Sequence, residues 1–120
     1  MPDYQFLGLG PESSMVTGVD VKLWGNTLLI SCLYGPFSDR RPYQLVFRDT
    51  RVITWYLHDT DLLEEGMTDL LGFILGEGKH RKPAVITTDI FELHVSYESL
   101  SIEMAEGSRE IAPSILPALF

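Results

Sequence analysis

The residues best suited to chemistry gather in one short stretch, Gly76-Glu77-Gly78-Lys79-His80-Arg81-Lys82-Pro83. Two glycines followed by four basic side chains invite comparison with a phosphate-binding loop. Such a loop needs GxxxxGK[ST] between a strand and a helix, so that backbone amides and the helix dipole converge on the phosphate. Here His80 follows Lys79 and the chain beyond shows no helical pattern, so the stretch fits an exposed, basic connection between strands. The functional reading that remains is a site for an anion or an acidic partner built from Lys79, His80, Arg81 and Lys82. Arg40 and Arg41 would join it if the two loops share an end of the sheet.

Other chemistry is thinner. His58, His80 and His94 form no HxxxH or HxH pair, and His58-Asp59 beside Asp61 is the one local group with metal-ligand character. No metal and no other cofactor is expected. Glu64, Glu65 and Asp69, or Asp89 after Thr87-Thr88, supply carboxylates, but their spacing singles out no acid–base pair. Thr87-Thr88-Asp89 reads more simply as a side-chain-bonded bend between two strands. No GxSxG elbow is present, and Cys32 lies inside the apolar run Leu28–Tyr34 without a local base, which suits a buried, inert thiol. A non-enzyme is expected. Trp24, Trp55 and Tyr56 are interleaved with acids and hydroxyls rather than bases, which argues for packing over single-stranded nucleic acid. These three remain candidates for an aromatic surface or for one wall of a pocket.

Composition narrows the partners. A chain of 120 residues with 45% hydrophobic and 22% charged residues is long enough for one domain with a real core. Its 17 acids against 9 Lys and Arg leave a net charge of −8, which opposes phosphate backbones and favours a basic protein partner. A single cysteine excludes an intrachain disulfide. No apolar run approaches the ~20 residues of a membrane-spanning helix. The opening MPDYQFLGLG lacks the basic start of a secretory signal, so a cytoplasmic location is expected.

The elements that must position these residues read as strands. Tyr4–Leu9 suits a short edge strand and Gly10–Ser14 a turn. Val19, Val21 and Leu23 alternate with Asp20, Lys22 and Trp24, and Gly25-Asn26 then offers a tight hairpin into TLLISCLY. Pro36 and Pro42 bound a polar connection. Tyr43–Asp59, YQLVFRDTRVITWYLHD, is densest in β-branched and aromatic residues and reads as a second hairpin turning at Arg48–Arg51. Its second strand carries bulk on both faces, so it belongs in the middle of the structure or under a partner.

Asp61 and Glu64 allow a turn or two of helix near residues 60–66, followed by a strand over Leu70–Leu75. Ala84–Thr87, Phe91–Tyr97 and Leu100–Met104 are further strands, the last two joined by a tight turn at Glu98-Ser99. The expected fold is mainly β, an antiparallel meander curved into a partial barrel or sandwich, spanning residues 1–106. Residues 107–120 carry Pro113 and Pro117 among apolar side chains and form an apolar tail, docked on the domain or bound to a partner.

The stretches YQLVFRDTRVITWYLHD and DLLGFILGEGKHRKPAVITTDIFEL, with the loop GEGKHRKPA, resemble those of small bacterial proteins, some of which resemble the immunity proteins found beside secreted toxins. The likeness covers about half the chain and transfers no functional residue. It implies a bacterial origin. The residues themselves point to a small interaction module of the immunity or adaptor type, holding a protein partner or a second copy through an acidic and aromatic sheet face, with an enzyme as the third reading. The alternative is a small-molecule binder with a pocket beside Trp55 and Tyr56.

Overall fold

The structure, a computed structural model, describes residues 13–38, 40–58 and 66–112. Among them it contains nine strands: β1 (Ser14–Lys22), β2 (Thr27–Tyr34), β3 (Arg41–Arg48), β4 (Val52–Leu57), β5 (Thr68–Ile74), β6 (Ala84–Thr88), β7 (Phe91–Ser96), β8 (Ser99–Met104) and β9 (Gly107–Ala112). All pair antiparallel in one sheet of order β4-β7-β6-β5-β1-β2-β3-β8-β9, which is not closed into a barrel. The mainly β, antiparallel architecture matches the sequence expectation. The expected helix near residues 60–66 and the edge strand Tyr4–Leu9 fall on stretches largely outside the described residues. No helix among the described residues is long and apolar enough to cross a membrane.

Alternation sets the faces. Leu28, Ile30, Cys32 and Tyr34 point inward from β2, opposite Phe47, Leu45 and Tyr43 of β3. Phe91, Leu93 and Val95 do the same from β7, opposite Ile86 and Ala84 of β6. One core cluster takes in both sets, and Phe47 meets Tyr97 edge-on with ring centroids 5.2 Å apart. The sheet therefore folds over so that β4-β7-β6-β5 shares a single interior with β1-β2-β3-β8-β9.

Chain connectivity requires that fold-over. β3 and β4 stand six places apart in the sheet order, about 29 Å if it were flat at ~4.8 Å per strand. The three residues between them reach only about 14 Å. The link from β7 to β8 is shorter still. Bending is concentrated where β1 meets β5 through Met15↔Asp69 and Val16↔Thr68, next to bulges at Val16/Gly18 and Leu70/Gly72. A bulge adds one unpaired residue and sharpens local twist.

Several expectations are corrected here. β3 and β4 are not a hairpin: β3 pairs with β2 and β8, and β4 pairs with β7. Likewise β7 and β8 share no ladder, although two residues join them. Strand β4 is an edge and not a middle strand. The β1–β2 hairpin exists, but Lys22↔Thr27 is its last pair, and Leu23, Trp24 and Gly25 turn with positive φ. Val21 and Leu23 are consequently exposed rather than core-facing. Ser14, expected in a turn, starts β1 and is buried, its hydroxyl accepting from the Tyr43 hydroxyl at 2.8 Å. Pro42 is the second residue of β3, opposite Leu33, rather than a loop boundary. The first six residues of the expected tail form β9 along β8, because Ile111 is apolar and inward-facing; residues 113–120 lie outside the described residues.

Candidate functional site

Two places could carry function, the edge strand β4 and the end of the sheet where the basic loop sits. At β4, register with β7 puts Ile53, Trp55 and Leu57 on the core side opposite Val95, Leu93 and Phe91. Val52, Thr54 and Tyr56 lie on the outer side opposite Ser96, His94 and Glu92. Core-side placement does not bury them: Trp55 remains 44% exposed and Leu57 50%, while Tyr56 and Val52 on the other side are 50% and 59% exposed. Trp55 stacks on Phe91 at 4.5 Å with rings 16° apart, which orders the indole without covering it. Tyr56 meets the His94 ring edge-on at 5.3 Å, and His94 Nε2 lies 2.6 Å from Glu92 Oε2.

The backbone of β4 is half-used. The His58 N–H donates to the Ile90 carbonyl at 2.7 Å, just beyond the strand and in register with it. Amide directions alternate along a strand, so Tyr56, Thr54 and Val52 point their N–H groups at β7. Ile53, Trp55 and Leu57 then present theirs at the other edge, where no strand among the described residues pairs. That edge has no charge, proline, glycine or bulge.

The basic loop is less open than its composition suggests. Gly78–Arg81 is a tight turn closed by the Arg81 N–H on the Gly78 carbonyl at 3.3 Å and flanked by a Glu77↔Lys82 bridge. Lys79 and His80 at its centre have φ of 58° and 60°, the mirror-image turn geometry that Asn-Gly usually takes. The strained pair aims two successive amides at two successive carbonyls of the β7–β8 connection. Lys79 N–H donates to the Glu98 carbonyl and His80 N–H to the Tyr97 carbonyl, each at 2.8 Å. The amides that an anion-binding loop would offer are therefore occupied by protein. Gly76 opens the loop where a Cβ would come within 2.4 Å of the Pro83 carbonyl oxygen, at φ +69°, so no other residue fits.

The charged side chains of this loop diverge. Lys82 pairs with Glu77 at 3.4 Å, Lys79 and Arg81 are exposed, and His80 turns beneath the loop. Arg40 and Arg41 do not join them. Arg41 starts β3 beside Tyr34, its guanidinium 5.6 Å from that ring centroid, whereas the loop contacts the Arg48 end of the same strand. Arg40 turns onto the Pro36 carbonyl at 2.8 Å. Trp24 stands fully exposed at the β1–β2 turn, on a different element from Trp55 and Tyr56. An open depression of about 420 Å³ lies over Thr17, Ser31, Gln44 and Glu103, not beside Trp55 and Tyr56 where the ligand-binding alternative places its pocket.

Under the loop the structure assembles what sequence spacing concealed. Asp49, His80 and Glu98 come from the β3–β4, β5–β6 and β7–β8 connections and bring one ligand-type atom each within 4.8 Å of the others. Asn26 donates to Asp49 Oδ1 at 3.1 Å and Arg51 to Oδ2 at 3.2 Å. These two, with a smaller contribution from His80, hold the Asp49 carboxyl below its ordinary range. Thr50 secures the same end, its N–H on the Asn26 carbonyl and its hydroxyl on that of Gly25. Burial pushes the Cys32 thiol up to about 12, only partly offset by Tyr43, so it is unreactive at neutral pH as expected.

Comparisons with protein families, curated proteins and solved structures find no match to this chain.

Proposed function

We propose that the chain is a small non-catalytic interaction module, of the immunity or adaptor type, that holds a protein partner along β4. One observation carries this: β4 is an uncharged, regular edge strand with free backbone groups and exposed Val52, Trp55, Tyr56 and Leu57. Soluble proteins usually block such an edge with charge, proline or a bulge, and an unblocked one is a template for another strand. Strand addition takes affinity from main-chain hydrogen bonds and specificity from side chains on either side. The partner is a different protein offering an extended, apolar and basic segment, because two copies at −8 each repel.

Selection of extended peptides on the purified chain tests this. The enriched sequences should alternate apolar residues with Lys or Arg, and their binding should weaken with salt. Leu57→Pro removes one edge donor that β7 does not use, so it should abolish binding while circular dichroism stays unchanged. Failure to enrich any strand-forming peptide, or a stable dimer of the chain alone by native mass spectrometry, overturns the proposal. A reproducible small-molecule adduct favours the ligand-binding alternative.

A further inference from the structure

We infer that Asp49, His80 and Glu98 form a binding site for a divalent transition-metal ion, Zn²⁺ before others. The site is separate from β4 and does not depend on the function proposed there.

The argument starts from the His80 ring. Nδ1 lies 2.9 Å from Ser96 Oγ, and in the tautomer that donates there the lone pair sits on Nε2. Nε2 is buried and makes no close hydrogen bond among the described residues. Its nearest polar neighbour is Asp49 Oδ2 at 3.5 Å, with a Glu98 carboxylate oxygen in the same cluster. In that tautomer Nε2 and the two carboxylates form a set of acceptors that a cation between them would join.

Distance favours a metal over a shared proton. A charge-assisted N–H···O contact closes to about 2.7–2.9 Å. Two ligand atoms on a tetrahedral ion with bonds of ~2.0–2.1 Å stand about 3.3 Å apart, close to the 3.5 Å between His80 and Asp49, and the three donors, all within 4.8 Å of one another, would draw in around an ion. The His80–Ser96 contact supplies the outer hydrogen bond that fixes the tautomer of metal-binding histidines. One imidazole and two carboxylates form a three-ligand set with a fourth position left for water.

The backbone holds the donors in place. Glu98 N–H donates to Arg48 O at 3.0 Å and Lys79 N–H to Glu98 O at 2.8 Å, so the three connections are tied before any ion arrives. Arg51 is the competitor, its guanidinium 3.2 Å from the same Asp49 oxygen on an exposed side chain that can swing away. An ion here would clasp the β3–β4 and β7–β8 connections, which link the two halves of the folded sheet, to the β5–β6 loop, so binding should raise thermal stability.

The test is titration of the metal-stripped full chain with Zn²⁺ by calorimetry, with Co²⁺ as the spectroscopic probe. One ion per chain should bind, with visible bands of a four- or five-coordinate Co²⁺ and a higher Tm than in chelator. His80→Ala, Asp49→Asn and Glu98→Gln should each weaken binding at least tenfold and remove the Tm increase. Arg51→Ala should tighten it, and His94→Ala should leave it unchanged, which separates this site from the Glu92–His94 pair on the outer face. Absence of stoichiometric binding, or binding that survives His80→Ala, overturns the inference. So does ¹⁵N NMR showing Nε2 of His80 protonated at neutral pH in the presence of excess Zn²⁺.

Discussion

The sheet has two edges, and they are built on opposite principles. Strand β9, Gly-Ser-Arg-Glu-Ile-Ala, keeps exposed Arg109 and Glu110 along its length and is bulged against β8 between Leu100 and Ser101. Charge and a bulge discourage another strand from docking. Strand β4, Val-Ile-Thr-Trp-Tyr-Leu, has neither, and pairs with β7 without a break. The two also differ in their anchors. Ile111 is buried under β9, whereas the core-side residues of β4 overhang the interior and leave Trp55 and Leu57 half-exposed. Among the described residues one edge is finished and the other is left open, and the proposed function rests on this asymmetry.

The largest effect that would break this comparison is on stability at the finished edge. Ile111→Ala should cost about 2–4 kcal/mol in urea unfolding, as for a buried isoleucine, with peptide binding at β4 unchanged. A cost under ~0.5 kcal/mol would show that β9 is not anchored, and the contrast would fail.

Trp55→Ala should cost less, about 1–2 kcal/mol against the 3–5 usual for a buried tryptophan, because the indole is already partly in water. Partner binding should nevertheless fall at least tenfold, as expected of a central aromatic anchor. A full core-sized loss would move Trp55 from the binding edge into the interior.

The interior common to both edges has a smaller, pH-dependent signature. The Cys32 thiol is raised from an ordinary 9.0 to about 12 by burial. A raised acid is protonated in the fold, so its contribution is complete below pH 9 and is lost as pH climbs from there toward 12. Over that window the chain should lose roughly 1 kcal/mol per pH unit relative to Cys32→Ala, read from denaturation midpoints. Parallel curves for the two proteins would mean that Cys32 meets water.

Much of the strand content was legible because alternation is a local signal. Leu28, Ile30, Cys32 and Tyr34, or Phe91, Leu93 and Val95, show their faces within a few residues, and Thr88 bonds the Ile90 and Phe91 amides in the expected bend. Neighbour relations were not legible. Tyr43–Leu57 has the pattern of a hairpin whether its strands pair with each other or with β8 and β7, since alternation specifies a face and not a partner. The bulk on both faces of β4 was read as a middle strand or a covered one, and only the sheet order makes it an edge. The basic loop was visible by composition, yet its side chains diverge, and the residue that matters, His80, joins Asp49 and Glu98 from far along the chain.

By itself, then, the sequence determined the class of fold, the inward face of most strands, the inert cysteine and the net negative charge. Those properties follow from residue type and a two-residue period. Only tertiary structure decided which strand was left at the open edge and which carboxylates met the buried histidine nitrogen. Both depend on a sheet bent until strands six places apart are joined by two or three residues, a long-range closure that no local pattern encodes.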